Sequence, residues 1–159
     1  MVDVGCGPKS WLWAIAPDYN PIGVDITSTY IKKYNEAKRG VGIVCSASTL
    51  PFRNATADGV FSLGLFHHLS DAESRATIAE MVRICLPGGQ VVILDAVLPK
   101  SSFRRSIASW VRRADRGDFM RKESELKALL PSPEKWEFKR LTYTLNGLEL
   151  LSCVYFRPD

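Results

Sequence analysis

A glycine turn directly after the first apolar run limits the possible folds of this chain more than any other feature. Val2–Val4 has the pattern of a short strand and is followed by Gly5 and Gly7. A second apolar run, 22–24, ends in Asp25. Such a turn after one strand and an acid after the next are typical of a nucleoside site at the edge of a parallel sheet. Glycine lets the backbone approach the ligand, and a carboxylate accepts both ribose hydroxyls.

The residues of the turn favour a positively charged nucleoside over a dinucleotide. A dinucleotide fingerprint has a third glycine at the position where this chain has Ser10. Asp3 stands two residues before Gly5, where a carboxylate would repel a pyrophosphate but suits a cationic ligand. S-adenosylmethionine carries a sulfonium and an ammonium group. The turn therefore predicts this cofactor, and a nicotinamide-dependent dehydrogenase is a distant alternative.

Five segments in the first part of the chain resemble the class I S-adenosylmethionine-dependent methyltransferases, of the branch that acts on small molecules and lipids. In chain order they are 3–8, 23–26, 47–52, 58–69 and 86–89. The resemblance implies methyl transfer to a small-molecule acceptor, with S-adenosylhomocysteine as the second product. It also implies an α/β fold with a doubly wound, mostly parallel sheet of seven strands that ends in an antiparallel hairpin.

The resemblance also implies which residues contact the cofactor: Asp3, Gly5, Cys6, Gly7, Asp25, Ile26, Ser46, Ala47, Ser62 and Leu63. Family members commonly have an acid for the adenine amino group where this chain has Ser46, which accepts a hydrogen bond without charge assistance. For Asp25, the alternative role is that of a helix N-cap.

Two histidines follow the fourth predicted strand, and these are His67 and His68. We expect His67 to be the catalytic general base, with His68 as a second candidate, while packing of the loop is the alternative role for both. The sequence shows no metal-ligand cluster, so no metal is expected.

Apolar runs alternate with helical patterns, which predicts a parallel sheet with helices on both faces. The predicted strands are 1–4, 22–25, 41–45, 59–63 and 90–95, and the third has the composition of a buried strand. Helices are predicted from about 10, over 28–38 and over 71–84, the last with Asp71 as its cap. Pro87–Gly89 predicts a turn. Asn146 and Gly147 separate two apolar runs, 137–145 and 148–156, which predicts a hairpin.

Length and composition are those of one globular domain. The chain has 159 residues, enough for a single core, and no apolar run of the roughly eighteen residues that a spanning helix needs. No secretory leader is visible, and four widely spaced cysteines predict reduced thiols, so we expect a cytoplasmic protein. We expect residues 1–159 to form one methyltransferase domain.

The family usually has one or two helices before the first strand, whereas this sequence begins within that strand. We therefore expect a domain that is truncated at its N-terminus relative to the family. An apolar patch would lie where those helices pack, and a second copy of the chain or a partner is expected to cover it.

Positive charge is concentrated between Lys100 and Lys122, which hold eight of the 21 lysines and arginines. A solvated helix face explains this, and a surface for an anionic or amphipathic acceptor is the alternative. Trp110 and Phe103 would form a lid or pack in the core.

Two further functions stay open. One is a weak or inactive methyltransferase-like module that acts through a partner, and the other is a nucleic-acid methyltransferase. The absence of an Asn/Asp-Pro-Pro-Tyr tetrapeptide argues against nucleic acid.

Overall fold

The computed structural model describes residues 1–99, 117–142 and 149–159. The described strands are β1 (Val2–Val4), β2 (Ile22–Asp25), β3 (Val41–Val44), β4 (Ala57–Leu63), β5 (Cys85–Val97), β6 (Trp136–Thr142) and β7 (Glu149–Phe156). The described α-helices are α1 (Leu12–Ile15), α2 (Ser28–Glu36), α3 (Asp71–Ile84) and α4 (Glu123–Lys127), and short 3-10 turns lie at Phe66–His68 and Pro133–Lys135.

Within these ranges the seven strands form one sheet in the order β3-β2-β1-β4-β5-β7-β6. The first five strands pair in parallel, while β7 runs antiparallel to both β5 and β6. The predicted fold class is thereby confirmed. Because the first five strands are parallel, their carboxyl ends meet at one edge of the sheet, where ligands bind in folds of this kind.

Helices pack on both faces of the sheet, as the alternation along β2 shows. A Cβ at Gly23 would lie 2.6 Å from the ring of Tyr34 in α2, whereas the next residue, Val24, belongs to the main core. Ile78 and Met81 of α3 are in that same main core. Successive strand residues point to opposite faces, so α2 and α3 lie on opposite sides. The smaller cluster on the α2 side consists of Cys6, Trp13, Ile31 and Tyr34.

β3 is an edge strand, and its predicted burial was wrong. Val41 and Val44 are 60% and 51% exposed, since β2 is the one strand that pairs with β3 in the described sheet. A short apolar run indicates a strand but not its place in the sheet order, which is why the sequence did not reveal the exposed edge.

The N-cap of α3 is Ser70 and not Asp71, so the residue that was predicted as the cap is the first residue of the helix. The Ser70 hydroxyl accepts from the Glu73 amide (3.4 Å), and Glu73 Oε2 accepts from the Ser70 amide (2.9 Å). This reciprocal arrangement is a capping box, for which serine and glutamate three residues apart are the sequence signature. Asp71 is the first helical residue, and its carboxylate accepts a hydrogen bond from Arg121.

β5 is longer than predicted, because the strand begins before Pro87–Gly89 and continues after it, so the predicted turn lies within the strand. Its pairing with β4 is irregular between Ala57 and Gly59, and Gly88 has a φ of +73° there. The two C-terminal strands pair as the predicted hairpin does, from Trp136 with Tyr155 to Thr142 with Glu149. The predicted turn at Asn146 and Gly147 lies outside the described residues.

Candidate functional site

The carboxylate of Asp25 is held in a fixed orientation at the end of β2. Its Oδ2 accepts a hydrogen bond from the Gly7 amide (3.0 Å), and its Oδ1 accepts one from the Thr27 amide (2.8 Å). A carboxylate has about four acceptor positions, so each oxygen can accept a further bond. Thr27 is the N-cap residue of α2 by its backbone, and Asp25 therefore does not cap that helix itself.

The glycine turn brings backbone to the end of β1 in a conformation that suits glycine. Gly5 and Gly7 have φ angles of +74° and +59°. The amides of Gly5 and Cys6 both donate to the Val24 carbonyl, at 2.8 and 3.1 Å, and so join the turn to β2. Apart from its chain neighbours, no heavy atom of the described residues lies within 4 Å of a Cβ built at Gly7. The turn thus leaves an open approach to its backbone beside Asp25.

A cavity of about 110 Å³ lies next to this carboxylate. Five of the predicted cofactor residues line it, namely Gly5, Asp25, Ile26, Ser46 and Ala47. The Ile26 side chain is 74% exposed, which makes it an apolar surface available to a planar ring. The cavity also has a second wall that the sequence reasoning missed, which includes Leu65, Leu69, Glu73 and Thr77.

The other predicted cofactor residues, Asp3 among them, are not part of the cavity lining. Asp3 is 3% exposed, and its Oδ2 accepts from the Ser10 hydroxyl at 2.5 Å. Burial raises the pKa of Asp3 to about 6, helped by the charge of Asp25 and opposed by the bond from Ser10. The Asp3 side chain therefore lies within the fold, where it bonds to Ser10.

Cys6, Ser62 and Leu63 also lie outside the cavity lining. Cys6 is buried, its thiol donates to the Gly7 carbonyl (3.3 Å), and burial raises the pKa of the thiol. Ser62 is fully buried at the end of β4, and its hydroxyl bonds to none of the described residues. Leu63 is half-buried.

The Ser46 hydroxyl is engaged within its own loop. It lies 2.8 Å from the Ser48 hydroxyl and accepts from the Ser48 amide at 3.3 Å. The adjoining loop is fastened to α3, because Arg83 donates to the carbonyls of Leu50 (3.2 Å) and Phe52 (2.8 Å). The cavity wall after β3 is therefore fixed by α3.

His67 forms a buried pair with Asp95, which the sequence reasoning missed. The His67 Nδ1 and Asp95 Oδ1 atoms are 2.7 Å apart, and the two residues are 6% and 1% exposed. Asp95 Oδ2 also accepts from the Phe66 amide at 2.6 Å. Leu63 pairs with Leu94 between β4 and β5, so that register places the loop after β4 beside Asp95. His68 is exposed, and its ring lies 4.1 Å from that of His67.

Arg121 holds the same loop from the other side. It donates to the carbonyls of Phe66 (2.7 Å) and Leu69 (2.6 Å) and to the Asp71 carboxylate (2.7 Å from Nη2). Arg121 is 7% exposed. Its predicted place on a basic surface is therefore wrong, since the guanidinium is used inside the fold. Residues 100–116, with the predicted lid residues Phe103 and Trp110, lie outside the described part.

Comparison with known proteins identifies the family from the region that builds this site. A family model described as a methyltransferase domain matches residues 2–93. The chain belongs to the methyltransferase-domain family. The match covers the glycine turn, Asp25 and the loop after β4. The expected cofactor, S-adenosylmethionine, is thereby confirmed, and its fit to the site is supported by the open backbone at Gly7 and the fixed carboxylate of Asp25.

The relatives of this methyltransferase domain differ in the acceptors that their names state. The mouse "Probable tRNA methyltransferase 9B" is 34% identical over 97 residues, 58% of this chain and 21% of that protein. The "27-O-demethylrifamycin SV methyltransferase" of Amycolatopsis mediterranei is 27% identical over 127 residues, 74% of this chain and 46% of that one. This chain thus spans about a fifth to a half of the length of these two relatives.

A solved structure of an S-adenosylmethionine-dependent methyltransferase from Methanosarcina mazei shares the fold. Its TM-score is 0.75 at 18% identity, over 99% of this chain and 92% of that chain.

Among the residues described here, no helix is both long and apolar enough to cross a membrane. The same residues contain no group of three or more metal-binding side chains.

Proposed function

We propose that this domain transfers a methyl group from S-adenosylmethionine to a small-molecule acceptor. The observation that carries the proposal is the Asp25 carboxylate, which two backbone amides fix beside a cavity at the carboxyl edge of the sheet. A ribose needs such an acceptor, because its two neighbouring hydroxyls can donate to the two oxygens of one carboxylate.

The other roles follow from the position of each residue relative to Asp25. Ile26 and Ala47 would contact the faces of the adenine, and the turn at Gly5 and Gly7, which is open at Gly7, would receive the methionine part. Asp3 would act through the turn that follows it in the chain. Cys6, Ser46, Ser62 and Leu63 complete the proposed cofactor set. When bound, the cofactor supplies an electrophilic methyl group, so the domain has mainly to hold the acceptor in line with it.

His67 is the proposed general base for an acceptor hydroxyl or acid. In the tautomer that carries its proton on Nδ1, this nitrogen donates to Asp95 and Nε2 is the basic nitrogen of the neutral ring. We expect Asp95→Asn to lower kcat and to move the acid limb of its pH profile, because the asparagine no longer stabilises a charged ring. The matched control is His68→Asn. An unchanged profile in Asp95→Asn would contradict a role of His67 as base.

The experiment that tests the proposed function is calorimetric titration with S-adenosylhomocysteine. We expect Asp25→Ala to weaken binding at least tenfold, since it removes two charge-assisted hydrogen bonds of about 1.5–3 kcal/mol each. Asp18→Ala, an exposed acid outside the site, is the matched control and should bind as the wild type does. Absence of binding by the wild type would refute the proposal, and binding without turnover on any acceptor would favour the module that acts through a partner.

A tRNA acceptor is the second candidate, favoured by the name of the mouse relative and not by a feature of the site. Binding to nucleic acid would weaken steeply with salt, because each neutralised phosphate releases counterions. We therefore expect acceptor turnover that depends weakly on salt concentration for a small molecule, and strongly for tRNA.

We also propose that residues 1–159 act as one domain. We further propose that the domain forms a homodimer or binds a partner. Met1, Leu12, Ile15, Phe61 and Val92 are among the residues that line an apolar recess of about 240 Å³. This recess is where a covering chain would bury apolar surface. Sedimentation of Ile15→Glu against the wild type tests it, and a monodisperse wild-type monomer would refute the homodimer.

A further inference from the structure

The adenine end of the cavity has no charged acceptor in the loop after β3. Ser46 occupies the position where the family commonly has an acid, and its hydroxyl already bonds to the amide and the hydroxyl of Ser48. An exocyclic amine buried without a good acceptor is costly. Recognition of the 6-amino group in this chain therefore requires a group from another wall.

Another part of the cavity lining comes from the beginning of α3, which contributes Glu73 and Thr77. Residues four apart lie on the same face of a helix. Thr77 is fully buried, and its hydroxyl bonds to none of the described residues. A buried hydroxyl without a partner is rare in folded proteins, and Thr77 belongs to the cavity lining, so a ligand that enters the cavity can supply the missing partner.

Glu73 adds a negative charge at the rim of the same cavity. Its Oε2 accepts from the amide (2.9 Å) and the hydroxyl (2.6 Å) of Ser70. These bonds hold the pKa of Glu73 below its usual range, so the side chain is ionised at neutral pH. Its Oε1 receives no hydrogen bond from the described part of the chain. The capping box thus fixes the carboxylate and leaves one oxygen for a donor.

We propose that Glu73 and Thr77 read the edge of the adenine that carries the 6-amino group. Glu73 Oε1 accepts a hydrogen bond from the amine, and the Thr77 hydroxyl pairs with a ring nitrogen on the same edge. This inference rests on the proposed function, because it requires the nucleoside to occupy the cavity beside Asp25.

The test is competitive binding of S-adenosylhomocysteine and S-inosylhomocysteine, which has an oxo group in place of the 6-amino group. We expect the wild type to prefer the adenosine compound at least tenfold. Glu73→Gln should reduce this preference to less than threefold, because the glutamine amide can also donate to the oxo group. Thr77→Val keeps the shape of the side chain and should weaken binding of the adenosine compound three- to tenfold.

Ser70→Ala is the matched control, since it breaks the capping box but retains the Glu73 carboxylate. It should keep at least half of the wild-type preference, and thermal unfolding of each variant verifies that the domain is folded. An unchanged preference in Glu73→Gln, or equal affinity of the wild type for both compounds, would overturn the inference while leaving the proposed function intact. Failure of the wild type to bind either compound would overturn the proposed function itself.

Discussion

Replacement of Arg121 by methionine should destabilise the loop that carries His67 more than any change on the surface. Methionine retains the length and apolar part of the side chain but removes the guanidinium. The carbonyls of Phe66 and Leu69, now bonded at 2.7 and 2.6 Å, then lose a charged donor in a region where Arg121 itself is 7% exposed. Each carbonyl keeps one other donor, the Leu69 amide for Phe66 (3.2 Å) and the Ser74 hydroxyl for Leu69 (3.4 Å), but neither donor is charged.

The expected loss of unfolding free energy is about 2–7 kcal/mol. Each of the two carbonyls loses a hydrogen bond from a charged donor, which contributes about 1–3 kcal/mol. The ion pair with Asp71 adds less than about 1 kcal/mol, because the Asp71 side chain is 72% exposed. For a domain of this size the total corresponds to a fall in Tm of roughly 4–28 °C.

Urea unfolding measures this loss, and hydrogen exchange of the amides in 66–71 locates it. Asp71→Asn is the matched control, since it removes the exposed partner of Arg121 and leaves both carbonyl bonds in place. We expect it to cost less than about 1 kcal/mol. Equal losses for Arg121→Met and Asp71→Asn would refute the reasoning, because the exposed ion pair would then be the whole contribution of the guanidinium.

Three other substitutions test how the turn and the cavity are built. The pKa of Asp3 is about 6 when folded against an ordinary 3.8, so stability is full below about pH 4 and falls as pH rises through 6. Asp3→Asn should abolish this fall, which is at most about 3 kcal/mol, in urea unfolding between pH 4 and 8. Gly7→Ala should cost about 1–2 kcal/mol and weaken S-adenosylhomocysteine binding at least tenfold by calorimetry, whereas Gly88→Ala should cost stability alone. Arg83→Met should destabilise the domain by about 1–3 kcal/mol in urea and weaken nucleoside binding, whereas the exposed Arg75→Met should do neither.

The outcomes that contradict these predictions differ for each substitution. A wild-type stability that is flat between pH 4 and 8 would show that Asp3 has an ordinary pKa. Equal loss of binding in Gly7→Ala and Gly88→Ala, which have φ angles of +59° and +73°, would show that backbone strain and not ligand approach is responsible. Normal binding by Arg83→Met would show that the loop after β3 is held without it.

Local sequence patterns were sufficient to predict the parallel half of the fold. The limits of β2 agree with the prediction, because Pro21 precedes an apolar run and Asp25 ends it. The sequence also indicated that the glycine turn and Asp25 lie together, as the structure shows, because a glycine pair after one strand and an acid after the next form a recognisable pattern. Their roles in cofactor binding stay a prediction. Glu73, three residues after Ser70, also indicates that Ser70 is the cap, although the prediction placed the cap at Asp71.

Features that depend on strand order or on distant pairing were not predictable in this way. Asp95 looks like an ordinary polar residue at the end of a strand, and only the β4–β5 register brings it to His67. Arg121 stands among other basic residues, and nothing local distinguishes a buried guanidinium from an exposed one. Glu73 and Thr77 belong to a helix that meets the cavity only through the packing of the main core.

The position of β7 has a consequence for the order in which the chain folds. β7 lies between β5 and β6 and pairs with β5 from Gln90–Phe156 to Val97–Glu149, although it is synthesised after both. Until β7 has been synthesised, the edge of β5 from Gln90 to Val97 lacks this partner, and another nascent chain could pair with it. Completion of β7, and not of the glycine turn, therefore closes this edge of the sheet during synthesis.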